Sequence, residues 1–131
     1  MENTKKHTVL VVEDEPAMSQ AIKDNLISEG FDVLQAKDGA EGLAAASASR
    51  PDIILLDILM PIMDGLTMMQ KLRALNSWGK KVPIILLTNL SPDEDRIVRR
   101  ITEDEPAYYL VKTDWKLSDV VEKIRERLNR V

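Results

Sequence analysis

The segment Asp52-Ile53-Ile54-Leu55-Leu56-Asp57 constrains the fold most. Pro51 precedes it, and its apolar run is unbroken between two carboxylates. A strand with one wet face alternates apolar and polar residues; a run without alternation suits a strand covered on both faces, as in a parallel sheet. The rest of the chain repeats this theme. Thr8–Val12, Phe31–Ala36, Val82–Leu87 and Ala107–Val111 read as further strands. Between them lie helical patterns. Pro16 opens the first, and Met18, Ala21, Ile22 and Leu26 recur at helical spacing, with Gly30 as the stop. Asp38-Gly39 marks a turn before an alanine-rich helix to about Ser49, and Met68, Leu72 and Leu75 suggest a third helix. Ser91, Pro92 and Glu94 form a strong helix start, and Leu117, Val120, Val121, Ile124 and Leu128 share one face of a last helix. The polar stretch Asn76-Ser77-Trp78-Gly79-Lys80 reads as a loop, with Trp78 packing over the sheet edge or meeting a partner. Five successive β–α units predict an α/β fold, a parallel sheet with helices on both faces.

At 131 residues the chain has the size of one domain, and the tails outside 8–130 are too short for a further module. We therefore expect a single domain with no effector domain. The formal charge of −4 disfavours direct nucleic-acid binding, which depends on neutralising phosphates. The absence of cysteine excludes a disulfide framework and thiolate chemistry. No apolar run reaches the length of a membrane span, and the apolar stretch after Met1–His7 is too short for a signal-peptide core, so a soluble cytoplasmic protein is expected.

The candidate chemistry lies just after the strands. Glu13, Asp14 and Glu15 follow the first, Asp57 ends the third, Thr88 follows the fourth and Lys112 the fifth. In a parallel sheet these ends share one edge, where open α/β sheets bind ligands. Clustered carboxylates repel one another, and Mg²⁺, which takes hard oxygen ligands and commonly a phosphate oxygen, relieves the repulsion. Taken singly, each residue has a plainer role. Asp14 could cap the first helix, Glu13 and Glu15 could be solvated, and Thr88 and Lys112 could be ordinary strand-end residues. Four strand ends supplying compatible groups make a metal–phosphate site a serious alternative.

The runs Val-Val-Glu13-Asp14-Glu15-Pro16, Leu-Leu-Asp57-Ile-Leu-Met60-Pro61-Ile-Met63-Asp64-Gly65, Leu-Leu-Thr88 and Tyr109-Leu-Val-Lys112 resemble the receiver domains of two-component response regulators from about Thr8 to Leu128. The resemblance implies a flavodoxin-like (βα)5 doubly wound sheet of order 2-1-3-4-5. It implies a phosphoacceptor switch in which Asp57 takes a phosphoryl group from a phosphohistidine on a sensor kinase or phosphotransfer protein. Asp14, Asp57 and the carbonyl of Leu59 would bind Mg²⁺, and Glu13 would hold metal-bound water. Lys112 would pair with a phosphoryl oxygen, Thr88 would swing to it, and Tyr109 would change rotamer with Thr88. The output surface would be the predicted fourth helix, the fifth strand and the last helix, meeting a downstream protein; phosphorylation-linked homodimerisation is left open. Such a protein catalyses only its own phosphorylation and dephosphorylation.

Three departures stand out. Thr113 replaces the usual proline after the lysine, Asn89 replaces a small residue after the switch hydroxyl, and Thr102–Ala107 replaces the usual Gly-Ala lead into the fifth strand. Leu59 and Leu90, at positions that tune dephosphorylation in the family, cannot orient a water by hydrogen bonding, so a long-lived phosphoryl state is expected. The rivals are a non-phosphorylated adaptor on the same fold and a small phosphatase with an aspartyl intermediate. Neither a phosphate loop nor a complete glycine fingerprint is present.

Overall fold

The computed structural model describes residues 6–58, 62–88, 107–111 and 116–129, with 88 and 107–111 described by backbone alone. The elements, in order, are β1 (Thr8–Val12), α1 (Pro16–Ser28), β2 (Asp32–Ala36), α2 (Gly39–Ser49), β3 (Ile53–Asp57), α3 (Gly65–Arg73), α4 (Ser77–Lys81), β4 (Ile84–Thr88), β5 (Ala107–Val111) and α5 (Leu117–Leu128). The strands form one parallel sheet of order β2-β1-β3-β4-β5. The expected doubly wound order is therefore present.

Side-chain alternation along the central strands makes two cores. Leu10, Val12, Ile54, Leu56, Ile84 and Leu86 point to one face, against Ala46 of α2 and Met68, Met69 and Leu72 of α3. Val9, Val11, Ile53, Leu55, Ile85 and Leu87 point to the other, against Ile22 and Leu26 of α1 and Val120, Val121 and Ile124 of α5. β3 is buried at every position, which is why its sequence does not alternate. Each fully buried Leu or Ile contributes about 1.5–3 kcal/mol by leaving water, so the two cores hold the strand ends at fixed heights.

The helix signals act locally. Pro16 occupies the first turn of α1. The chain leaves α1 through Gly30 at a φ of 94°, which an L side chain resists. Asp38 caps α2 by accepting from the Glu41 backbone N–H at 2.8 Å, so Asp38-Gly39 is a helix start and not a separate turn.

Other boundaries differ from expectation. Phe31 precedes β2, and Val82 and Pro83 precede β4. Leu75 lies outside α3 and is 47% exposed. The segment read as a loop contains α4, because Asn76 caps it by accepting from the Gly79 N–H at 2.7 Å. Trp78 packs, half-buried, against the α2–α3 core, in keeping with the packing alternative. The helix start at Ser91 and the lead-in Thr102–Pro106 lie outside the described residues.

Candidate phosphoacceptor and metal site

Register sets the site. Val12 pairs with Leu56 across β1 and β3, so the next residues along, Glu13 and Asp57, leave their strands at one level. Asp57 pairs with Leu87, Leu87 with Leu110, and Thr88 with Val111. The backbone thus brings Thr88 beside the last residue of β5, one level beyond Asp57. The acids also straddle the place where strand order reverses, because β1 lies between β2 and β3.

One carboxylate oxygen each from Glu13, Asp14 and Asp57 lies within 4.8 Å of the others. Glu13 is 4% exposed and Asp57 5% exposed, whereas Asp14 is exposed. Buried charges of like sign this close together are costly without a compensating partner. The donor set is all hard oxygen, two buried and one open to solvent, which fits Mg²⁺ and suits neither a soft metal nor a closed zinc site. A hollow of about 250 Å³ opens beside the acids, lined by Asp14, Pro16, Gln20, Lys37 and Glu41 among others.

The backbone around the acids is tied down. The Glu13 N–H donates to the Ala36 carbonyl at 3.0 Å, and the Glu15 N–H reaches Glu13 Oε2 at 3.4 Å. Glu15, not Asp14, is the cap residue of α1, and no side-chain cap hydrogen bond is made. The capping alternative for Asp14 is therefore set aside, and Glu15 is exposed, as a solvated charge would be. Beyond Asp57, the Gly65 N–H donates to the Ile58 carbonyl at 2.9 Å and the Gly39 N–H to the Met63 carbonyl at 3.0 Å. Asp64 caps α3 through the Thr67 N–H at 2.8 Å.

Of the residues singled out from sequence, Glu13, Asp14 and Asp57 come together. Thr88 and Tyr109 are placed by their backbone in β4 and β5. Leu59, Lys112, Asn89, Leu90 and Thr113 lie outside the described residues. Sequence reasoning missed the supporting shell. An Asp before a helix start is a legible cap signal at Asp64 and Asp38, but the hydrogen bond between Gly39 and Met63 joins segments that no local pattern connects.

Comparison with known proteins places this geometry in context. Residues 9–125 match the family described as the response regulator receiver domain. The chain is 37% identical over 123 residues to the probable transcriptional regulatory protein TcrX of Mycobacterium tuberculosis, covering 94% of this chain and 50% of that protein. It is 33% identical to the DNA-binding response regulator MtrA of Mycolicibacterium smegmatis, covering 98% of this chain and 53% of that protein. The chain thus spans about half the length of these curated relatives. Among solved structures, the receiver domain of a Pseudomonas aeruginosa sensor histidine kinase superposes with a TM-score of 0.84 at 28% identity, covering 96% of this chain and all of that one. That structure has a magnesium ion coordinated in its active site cleft.

Proposed function

The chain belongs to the response regulator receiver family, and on that premise we propose that Asp57 is the phosphoacceptor of a two-component relay. The convergence of Glu13, Asp14 and Asp57 at the end of β1 and β3 carries this reading. A carboxylate oxygen of Asp57 attacks the phosphorus of a phosphohistidine on a sensor kinase or phosphotransfer protein. The new P–O bond forms as the P–N bond breaks, and the imidazole nitrogen leaves with the bonding pair. Such transfer needs alignment and charge neutralisation more than covalent work by the protein.

Glu13, Asp14 and Asp57, with the Leu59 carbonyl, would hold Mg²⁺. When bound, the ion neutralises charge on the transferring oxygens. The rigid backbone at Glu13 and Gly65 keeps the Asp57 carboxylate aligned for attack. Lys112 is assigned to a phosphoryl oxygen, Thr88 to a hydrogen bond with the new phosphoryl group, and Tyr109 to the rotamer change that follows. These contacts bias a pre-existing equilibrium toward a partner-binding state.

The proposed domain is 8–130, acting in the cytoplasm, and no helix among the described residues is long and apolar enough to cross a membrane. DNA binding is named for MtrA, and we assign none to these residues. The reaction is self-modification, with no external ester turned over, and Leu59 and Leu90 are proposed to prolong the phosphoryl state.

The test is intact mass after incubation with acetyl phosphate and Mg²⁺. A single phosphoryl adduct on the wild type, lost in Asp57→Ala, is expected. An adduct that survives the substitution, or none from either acetyl phosphate or a phosphorylated kinase, overturns the assignment.

A further inference from the structure

The end of the sheet opposite the acids carries a second concentration of charge, of the other sign. Arg50 ends α2 at a φ of 44°. Its guanidinium lies 5.9 Å from the centroid of the Trp78 ring, within cation–π range. Lys80 and Lys81, two and three residues further along α4, are both exposed. Arg73 reaches across from α3 and donates from Nη1 to the carbonyls of Gly79 at 2.8 Å and Val82 at 2.7 Å.

Two hollows adjoin here, sharing Ser77 and Lys81. One, of about 420 Å³, is lined by Arg50, Trp78 and Asp52 among others. The second, of about 350 Å³, is lined by Arg73, Asn76 and Lys80 among others. Among the described residues, Asp52 is the one acid lining either. Its Oδ2 already accepts from the Thr8 N–H at 2.7 Å and lies 3.6 Å from His7 Nδ1. Among the described residues, four cations therefore border this groove against one carboxylate, which is tied through one oxygen to β1.

A solvated basic face is the ordinary explanation for exposed lysines. It does not account for a half-buried tryptophan stacked with an arginine that holds a left-handed backbone, beside a helix pinned by a second arginine. We propose that this groove docks an acidic peptide segment of a partner protein, with carboxylates against Arg50, Lys80 and Lys81 and an apolar side chain against Trp78. Charge complementarity selects the occupant. Duplex DNA carries one charge per roughly 1.7 Å of axis and would extend past this short basic groove onto a chain whose net charge is −4. A peptide of a few residues would not.

The groove lies before β3 and β4, whereas Asp57 ends β3. A five-residue strand separates the two ends, roughly 17 Å at about 3.3 Å per residue. Docking is therefore independent of the phosphoacceptor reading.

The experiment is fluorescence anisotropy of a fluorescein-labelled octaglutamate peptide titrated with the whole chain. Saturable binding is expected for the wild type, with at least about tenfold weaker binding, or 1.4 kcal/mol, in the double variant Lys80→Glu/Lys81→Glu. These side chains are exposed, so the fold should persist, checked by circular dichroism. Asp57→Ala should bind the peptide as the wild type does. The proposal is overturned by no saturable binding to the wild type, by equal binding to the double variant, or by tighter binding of a DNA duplex or of anionic phospholipid vesicles than of the peptide.

Discussion

Gly65 sits so close to the main chain of Asp57 that a Cβ at position 65 would fall onto the Asp57 carbonyl oxygen and lie 2.9 Å from Ile58 Cα. Both obstructing atoms are backbone, and neither can rotate away. The Gly65 N–H also donates to the Ile58 carbonyl, closing the segment after β3. Gly65→Ala must therefore push the end of β3 or the start of α3, with an overpacking cost of about 1–3 kcal/mol. Urea denaturation should show that loss. Phosphorylation by acetyl phosphate should slow as well, because the displaced backbone carries the nucleophile. An unchanged rate would mean that the segment relaxes without moving Asp57.

The acids make a second expectation. Three carboxylate oxygens within 4.8 Å repel one another by up to a few kcal/mol per pair at an effective dielectric near 20. Asp57→Asn keeps the side-chain shape and removes one charge. In metal-free buffer it should raise stability by about 1–3 kcal/mol, and the melting temperature should then rise less on adding Mg²⁺ than it does for the wild type. Differential scanning calorimetry with and without Mg²⁺ measures both. A metal-free variant less stable than the wild type would show that repulsion is already offset by other contacts of Asp57.

Ile62, in the same segment, holds a left-handed backbone. It is a β-branched residue at a φ of 69° and is 83% exposed. The left-handed conformation costs an L residue roughly 1–2 kcal/mol, less for Asn, whose short polar side chain can bond locally. Almost no apolar burial is at stake, so Ile62→Asn should stabilise the fold by about 1 kcal/mol. Chemical denaturation would record the shift, and a loss instead would reveal a packing role for the side chain.

The parallel sheet was legible because β3 is apolar at successive positions, which only burial on both faces explains. The acids were legible because strand ends in such a sheet share an edge, so Glu13 and Asp57 could be brought together from sequence without knowing any distance. The stretch at Trp78 was not. Ser77–Lys81 is too short to show helical periodicity, and its helix depends on the Asn76 cap and on Arg73, which sits on another element. The close approach of Gly65 to Asp57 and the Gly39–Met63 hydrogen bond both depend on tertiary placement and left no local trace. Likewise, Leu75 has the right spacing to extend α3, but its N–H bonds to the Leu72 carbonyl three residues back instead of four, and Asn76 begins a new cap, so periodicity yields to the break.

Arg73 gives the sharpest check on how α4 is held. Its Nη1 bridges two carbonyls, Gly79 within α4 and Val82 just before β4, so one charged donor fastens α3, α4 and the entry to the sheet. Hydrogen bonds to a charged group contribute about 1.5–3 kcal/mol net. Arg73→Ala should cost at least that much, because two carbonyls lose a shared donor. Arg73→Lys should recover only part of the loss, since the lysine side chain is one bond shorter and its ammonium falls short of the place Nη1 holds between the two carbonyls. Hydrogen exchange should localise the damage, with the Lys80 and Val82 amides, which donate to Asn76 and Trp78 carbonyls, exchanging faster while the amides of β1 and β3 stay protected. Uniform acceleration across the sheet would instead mean that Arg73 supports the whole core, and full recovery by lysine would mean that a charged donor without arginine's reach is enough to hold α4 in place.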